Sequence, residues 1–181
     1  MEDLSLHILD IVENSIRAGA KEVEILIREN LAADLLEIVI QDDGAGMDAA
    51  IRERALNPFF TTKSVRKVGL GLSLFRESAR QAGGDLVVAS GPEQGTRIEA
   101  SFQHSHIDRK PLGDIARTLQ TLMIGNPDIH YQYIHRKNGE EQRFDSAEAN
   151  PDPGDTTAAS GNDSSSNGEH SSAFNTVKEK A

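Results

Sequence analysis

Cysteine is absent from this 181-residue sequence. The chain therefore has no disulfide, no thiolate zinc site and no iron–sulfur cluster. Aromatic residues make up only 4% of the chain, although hydrophobic residues reach 37%, which supports a core. The sequence also lacks any run of 18 apolar residues and any basic, apolar leader, so it predicts neither a membrane span nor a signal peptide. These absences favour a cytoplasmic protein.

Positively charged residues are in the minority. Nineteen Lys and Arg stand against 29 Asp and Glu, so the formal net charge is −10. Residues 145–181 contribute −5 of this charge, from seven acids and two lysines, and the preceding 144 residues contribute the other −5. Neither part offers the basic surface that binding to a nucleic acid duplex requires. The charge therefore argues against a nucleic acid partner.

The composition divides the chain into three parts. From about Asn150 onward Pro, Gly, Ser, Asn and Asp dominate, and such a stretch buries too little apolar surface to offset its ordering entropy. We expect residues 145–181 to form a disordered acidic and polar tail. Residues 1–103 are predicted to form one domain, and 104–144 a small extension with a helix at 113–124 and strands near 129–136 and 141–144.

The first predicted element is an amphipathic helix at about residues 3–18. With about 100° between successive residues, its apolar side chains share one face. The opposite face carries His7, Asp10, Asn14 and Arg17. Gly19, in the segment "AGA", suits the left-handed cap that ends a helix.

Strand and helix patterns follow in turn. Residues 21–29 and 35–41 are strand-like, 48–56 and 70–84 are helical, and 85–91 and 96–102 form a strand pair around a glycine turn. The order helix, strand, strand, helix, helix, strand, strand predicts an α+β fold. We expect a two-layer α/β sandwich with the helices on one face of a mixed β-sheet.

Two glycine-containing segments are candidates for ligand binding. In "QDDGAGMD", Asp42 ends a strand and its carboxylate could accept a hydrogen bond from an exocyclic amine, although an Asp-Gly turn explains the segment equally well. In "VGLGLSLF", Gly69 and Gly71 stand at a helix start, where free N–H groups attract phosphate. Glycines that serve packing are the competing explanation there.

The order of these segments is more specific than any one of them. A D-x-x-x-N helix, then "DDGAG", "NPFFTTK", "GLGLS" and "GT" before a final strand resembles the GHKL ATPase superfamily. That superfamily contains DNA gyrase B subunits, heat-shock chaperones, histidine kinases and MutL-type repair proteins. The resemblance covers roughly Leu4 to Phe102 and implies a Bergerat fold that binds ATP and Mg²⁺.

The resemblance also implies roles for individual residues. Asn14 corresponds to the magnesium ligand, Asp42 to the residue that recognises the adenine amino group, and Thr96 to a residue that supports Asp42. Gly44 and Gly46 correspond to the wall beside the adenine. The remaining implied ATP-binding residues lie in the lid-flanking box and the phosphate-binding box, and they are Phe60, Lys63, Gly69, Leu70 and Gly71.

Within the superfamily the kinase branch is favoured. "NPFFTTK" and "GLGLSL" look like histidine kinases, and Arg17 stands where those proteins have a phosphate-contacting lysine, whereas "ENSIRAGAKEVEI" is similar to the repair proteins. Gyrase, chaperone and repair ATPases also take a lysine from a following transducer domain, for which fewer than 50 ordered residues remain here.

Two acids compete for the role of catalytic base. In the superfamily this base lies four residues before the asparagine, which selects Asp10 here. Asp10 and Asn14 are about 40° apart on the helix, whereas Glu13 and Asn14 are about 100° apart. Because Asp is one methylene shorter than Glu, we expect intact binding and slow ATP hydrolysis.

A phosphoacceptor histidine is a further hypothesis. The segment "SHIDRKPLGDI" resembles the histidine kinase H-box at six positions and offers His106 as a possible acceptor. A capped helix start with His106 in the preceding loop is the alternative. A metal site formed by His104, His106, His130 and His135 is a weaker interpretation.

The combined prediction is a small stand-alone regulatory kinase, slow ATPase or nucleotide-gated switch. By its resemblance to anti-sigma-factor kinases, its acceptor would lie on a protein partner bound through residues 104–144. The alternatives are a permuted autophosphorylating kinase that uses His106, and a non-catalytic module in which bound ATP orders the lid. Neither a nucleic acid nor a membrane is an expected partner, and a homodimer is left open.

Overall fold

A computed structural model describes residues 2–56, 71–149 and 175–178. No helix within these ranges is long and apolar enough to span a bilayer. The helices are α1 (Leu4–Arg17), α2 (Ala49–Ala55), α3 (Gly71–Gln81), α4 (Ile115–Gly125) and α5 (Ser146–Ala149). The strands are β1 (Glu22–Asn30), β2 (Leu35–Asp42), β3 (Leu86–Ser90), β4 (Thr96–Gln103), β5 (His130–Lys137), β6 (Glu140–Asp145) and β7 (Asn175–Lys178).

The seven strands form one mixed sheet in the order β3-β4-β2-β1-β5-β6-β7. All neighbours pair antiparallel except β1 and β5, which pair in parallel with Ile25 opposite Tyr133. Because β5 pairs directly with β1, residues 104–144 continue the sheet of the first part of the chain. The predicted α+β fold with a mixed sheet is confirmed.

The core lies between one face of this sheet and the helices. In β1 and β2 alternate isoleucines are fully buried, which is the period-2 pattern of a strand with one covered face. Each such side chain contributes about 1.5–3 kcal/mol through burial. The helices α1, α3 and α4 supply the opposing apolar side chains, among them Ile8, Phe75 and Leu119.

The first helix differs from its prediction at one residue. His7 was expected on the exposed face of α1, and this is wrong, because its side chain is 1% exposed and stacks on Phe75 with ring centroids 5.1 Å apart. The reason is that α1 packs against α3 as well as against the sheet, so more than one face is covered. Burial and the nearby Lys110 lower the pKa of His7 to about 4.

Two pieces of the predicted disordered tail carry secondary structure. Residues 146–149 form one helical turn, and β7 pairs antiparallel with β6 with Glu140 opposite Lys178. A composition argument counts the apolar surface that a segment can bury. It does not count the backbone hydrogen bonds available at the open edge of a sheet, which four residues can use.

Candidate functional site

A cavity of about 610 Å³ lies between α1, α2 and the ends of β2 and β4. Its volume is within the range of about 300–1,000 Å³ that is usual for small-molecule sites. Three of the predicted motifs meet at it. These motifs supply Asn14 and Arg17 on α1, Asp42 at the end of β2, Gly46 in the loop after β2, and Thr96 at the start of β4.

Asp42 is the buried acid of this cavity. Its Oδ1 accepts hydrogen bonds from the backbone N–H of Gly44 at 2.9 Å and of Thr96 at 3.2 Å. Its Oδ2 accepts one from Ser15 Oγ at 2.6 Å. A carboxylate has about four acceptor sites, so these three donors fix its orientation and leave one site for a ligand donor in the cavity.

The glycines after Asp42 let the backbone pass close to neighbouring elements. Gly46 has φ +67°, and a side chain there would overlap the carbonyl of Gly91. A Cβ on Gly44 would lie 3.1 Å from both Ala18 Cβ and Asp42 Oδ1. The loop is also fastened to the β3–β4 hairpin, because the Met47 N–H donates to Ser90 Oγ at 2.8 Å.

The rest of the cavity wall is largely apolar. A flat heteroaromatic ring fits such a wall, because it buries apolar area while one polar edge meets Asp42. The apolar side chains that line the cavity are Ile11, Ala18, Ala45, Met47, Ile51, Ala55, Leu72 and Ile98.

Thr96 takes part in this arrangement through its backbone. The Thr96 N–H donates to Asp42, whereas its hydroxyl oxygen lies 3.1 Å from Ser90 Oγ. Ser90 Oγ donates in turn to the carbonyl of Gly95 at 2.9 Å. The support that the resemblance implied for Asp42 therefore comes, among the described contacts, from the Thr96 main chain.

Two polar side chains of α1, Asn14 and Arg17, line the cavity. Arg17 Nη1 donates to Asn14 Oδ1 at 2.5 Å, and Arg17 Nη2 donates to Glu13 Oε2 at 2.8 Å. The Arg17 and Glu13 side chains are about half exposed. The amide oxygen of Asn14 thus lies on the cavity wall in contact with a guanidinium.

Asp10 lies one turn before Asn14 and packs against the first residue of α3. A side chain at Gly71 would overlap the Asp10 carboxylate, so glycine at this position lets the carboxylate keep its place. Burial raises the pKa of Asp10, and the negative charge of Glu13 raises it further, whereas Arg17 opposes the shift. Glu13 itself is exposed and paired with Arg17.

The other predicted residues either lie outside the described residues or stand away from this cavity. Phe60, Lys63, Gly69 and Leu70 lie outside the described residues. His106 lies in the loop before α4, where its Nδ1 accepts from the Asp108 N–H at 3.1 Å. His106 lies beside Gly83, which follows the C-terminal end of α3. Gly71 is at the N-terminal end of the same helix. The eleven residues of α3 span about 16 Å.

The remaining histidines do not gather around one point. His104 and His135 both contact Glu29, at 2.7 and 2.8 Å, and His130 contacts Asp145 at 2.7 Å. Within the described part of the chain, no group of three or more His, Asp or Glu side chains is arranged to hold a metal ion. The metal site considered from these histidines is therefore not formed there.

Sequence reasoning missed two residues of the site. Ser15 lies about 140° from Asp10 on the α1 helix, which is within the apolar face, and a hydroxyl at a buried position was the available signal. Its side chain is 4% exposed and holds Asp42. Ser90 precedes a glycine turn, and nothing in the sequence marks it.

Comparisons with known proteins find a matching family and several relatives for the first part of the chain. The family described as "Histidine kinase-, DNA gyrase B-, and HSP90-like ATPase" matches residues 2–106. Sensor protein kinase FleS of Pseudomonas aeruginosa is 39% identical over 89 residues, which are 49% of this chain and 22% of that protein. Sensor histidine kinase CitA of Klebsiella pneumoniae is 36% identical over 78 residues, which are 43% of this chain and 14% of that protein.

A solved structure has the same fold. The crystal structure of the N-terminal domain of a DNA repair protein superposes with a TM-score of 0.57 at 18% identity, over 80% of this chain and 53% of the other. The chain spans less than a quarter of the length of the two kinases. The similarity to those kinases therefore concerns one module of each.

Proposed function

Because this chain belongs to the family of histidine kinase-, DNA gyrase B- and HSP90-like ATPases, we propose that it binds Mg–ATP in the cavity beside Asp42 and regulates a protein partner. It is a GHKL-type ATP-binding module of the kinase class. The observation that carries the proposal is Asp42, a buried carboxylate that three donors orient at the wall of a largely apolar cavity.

In this proposal the adenine occupies the part of the cavity beside Asp42. Its exocyclic amine would donate to the remaining acceptor site of Asp42, and its ring would contact apolar walls such as Met47 and Ile98. Hydrogen bonding to a buried acceptor gives base selectivity, because a ring with a carbonyl at that position leaves the fourth acceptor site of the carboxylate without a donor.

The amide oxygen of Asn14 on the cavity wall also suits Mg²⁺. Asn14 would hold the ion through Oδ1, and a single protein oxygen is enough because Mg²⁺ usually keeps several waters and phosphate oxygens as ligands. When bound, the ion neutralises charge that develops on the transferred phosphoryl group. Arg17, on the same wall, would contact the phosphates.

Asp10 is the candidate base. Its pKa is raised by burial, which makes it a better proton acceptor than an ordinary carboxylate. From its place beside the start of α3, Asp10 would take the proton of an attacking water or of the partner's phosphoacceptor side chain. Because its side chain is shorter than that of Glu, we expect slow hydrolysis of ATP without a partner.

The acceptor is proposed to lie on another protein. His106 is beside Gly83, and the length of α3, about 16 Å, separates that end of the helix from Gly71 and Asp10. Transfer to His106 would therefore have to come from a second molecule. We propose that the partner docks on residues 104–144, where Ile107 is 95% and Ile124 is 84% exposed.

Incubation with γ-labelled ATP and Mg²⁺ tests the proposal, with Asn14→Ala as the control. We expect tight binding by the unaltered chain, little release of phosphate and little label on the protein, and loss of the Mg²⁺-dependent binding in Asn14→Ala. Label that disappears in His106→Ala would instead identify an autokinase. Absence of nucleotide binding would contradict the proposal.

A further inference from the structure

Arg17 bridges two of its neighbours on α1. Its guanidinium donates to Asn14 Oδ1 at 2.5 Å with one nitrogen and to Glu13 Oε2 at 2.8 Å with another. Asn14 and Arg17 both line the cavity. Oδ1 is the side-chain atom of Asn14 that ligates hard cations, since the amide nitrogen is only a donor. The atom that Mg²⁺ would need is therefore already in a charge-assisted hydrogen bond.

The two uses of this oxygen conflict. Mg²⁺ binds oxygen at about 2.0–2.1 Å. With the guanidinium nitrogen at 2.5 Å from the same atom, the two cations would be about 4 Å apart. Although a carbonyl oxygen has two lone pairs, like charges at that separation repel each other even where the guanidinium is half exposed. The guanidinium has to leave Asn14 before the ion is held.

We propose that Arg17 and Mg²⁺ compete for Asn14 Oδ1, and that Glu13 is the anchor that holds the guanidinium in the competing position. This inference rests on the proposed function, because it assumes that Asn14 ligates Mg²⁺. Arg17 is then a positioning residue in the nucleotide-free chain and becomes available for phosphate when the ion enters. Glu13 sets the Mg²⁺ concentration at which this exchange occurs.

Glu13→Gln separates two explanations, because they predict opposite changes in the Mg²⁺ concentration that nucleotide binding requires. Removal of a carboxylate beside a cation site should, by charge alone, raise the Mg²⁺ concentration required. Removal of the anchor of Arg17 should lower it, because the guanidinium then leaves Asn14 more easily. We expect a fall of about two- to fivefold, the range that an exposed ion pair supports. The measurement is binding of a fluorescent ATP analogue as free Mg²⁺ is varied.

Two further variants complete the experiment. Arg17→Lys keeps the charge but cannot bridge two acceptors as the guanidinium does, so it should also lower the Mg²⁺ requirement. Glu77→Gln removes an exposed acid on α3 that is paired with Gln81, and should leave the requirement unchanged. An unchanged or raised requirement in Glu13→Gln would overturn the inference and leave nucleotide binding intact. Absence of binding by every form would overturn the proposed function as well.

Discussion

At the scale of single residues, the short hydrogen bond from Ser15 to Asp42 decides how the carboxylate is presented. Ser15→Ala removes one of three donors to a buried acid, which costs about 1–3 kcal/mol of folding free energy and lets the carboxylate rotate. We expect weaker binding of ATP and a lower free energy of unfolding, measured by nucleotide titration and urea denaturation. Ser15→Thr, which keeps the hydroxyl, should retain most of the binding. Equal binding by Ser15→Ala and the unaltered chain would contradict this role.

The same residues show how far a sequence can be read. Asp42 and Asn14 were singled out by the fixed spacing of their motifs, and both line the cavity, whereas their roles towards a ligand stay predictions. Ser15 could not be predicted from the motif, since its partner lies 27 positions away along the chain. His7 was misassigned because helical periodicity does not reveal a second packed surface, which α3 provides.

At the scale of elements, the position of the Asp10 carboxylate of α1 against the start of α3 depends on Gly71. Gly71→Ala introduces a methyl group where the Asp10 carboxylate lies, so either the acid or the helix must move. We expect turnover of ATP to fall by at least tenfold, because about 1 Å of displacement of a reacting group has a large effect on rate. Phosphate release under saturating Mg–ATP measures this effect.

Gly125→Ala is the matched control for that substitution. A Cβ on Gly125, at the end of α4, meets nothing within 4 Å and should leave turnover unchanged. If Gly71→Ala hydrolyses ATP as fast as the control, Asp10 does not need its position beside α3.

The pairing of these helices, like the parallel pairing of β1 with β5, joins residues that are far apart in sequence. Local periodicity therefore predicted the elements but not which elements are neighbours.

At the scale of the whole molecule, Glu29 joins β1, β5 and the segment after β4. It accepts hydrogen bonds from His104, His135 and Lys137, and these contacts outweigh burial and lower its pKa to about 2. A folded pKa below the ordinary 4.5 stabilises the fold above pH 4.5, and this contribution is lost as the pH falls from 4.5 towards 2. Glu29→Gln should therefore lose about 2–3 kcal/mol of unfolding free energy at pH 7 and differ little from the unaltered chain near pH 2.

Urea denaturation between pH 7 and pH 2 measures the difference in unfolding free energy. Glu24→Gln, at an exposed acid of the same strand, is the control. A constant difference at every pH would show that the three contacts do not act through the charge of Glu29.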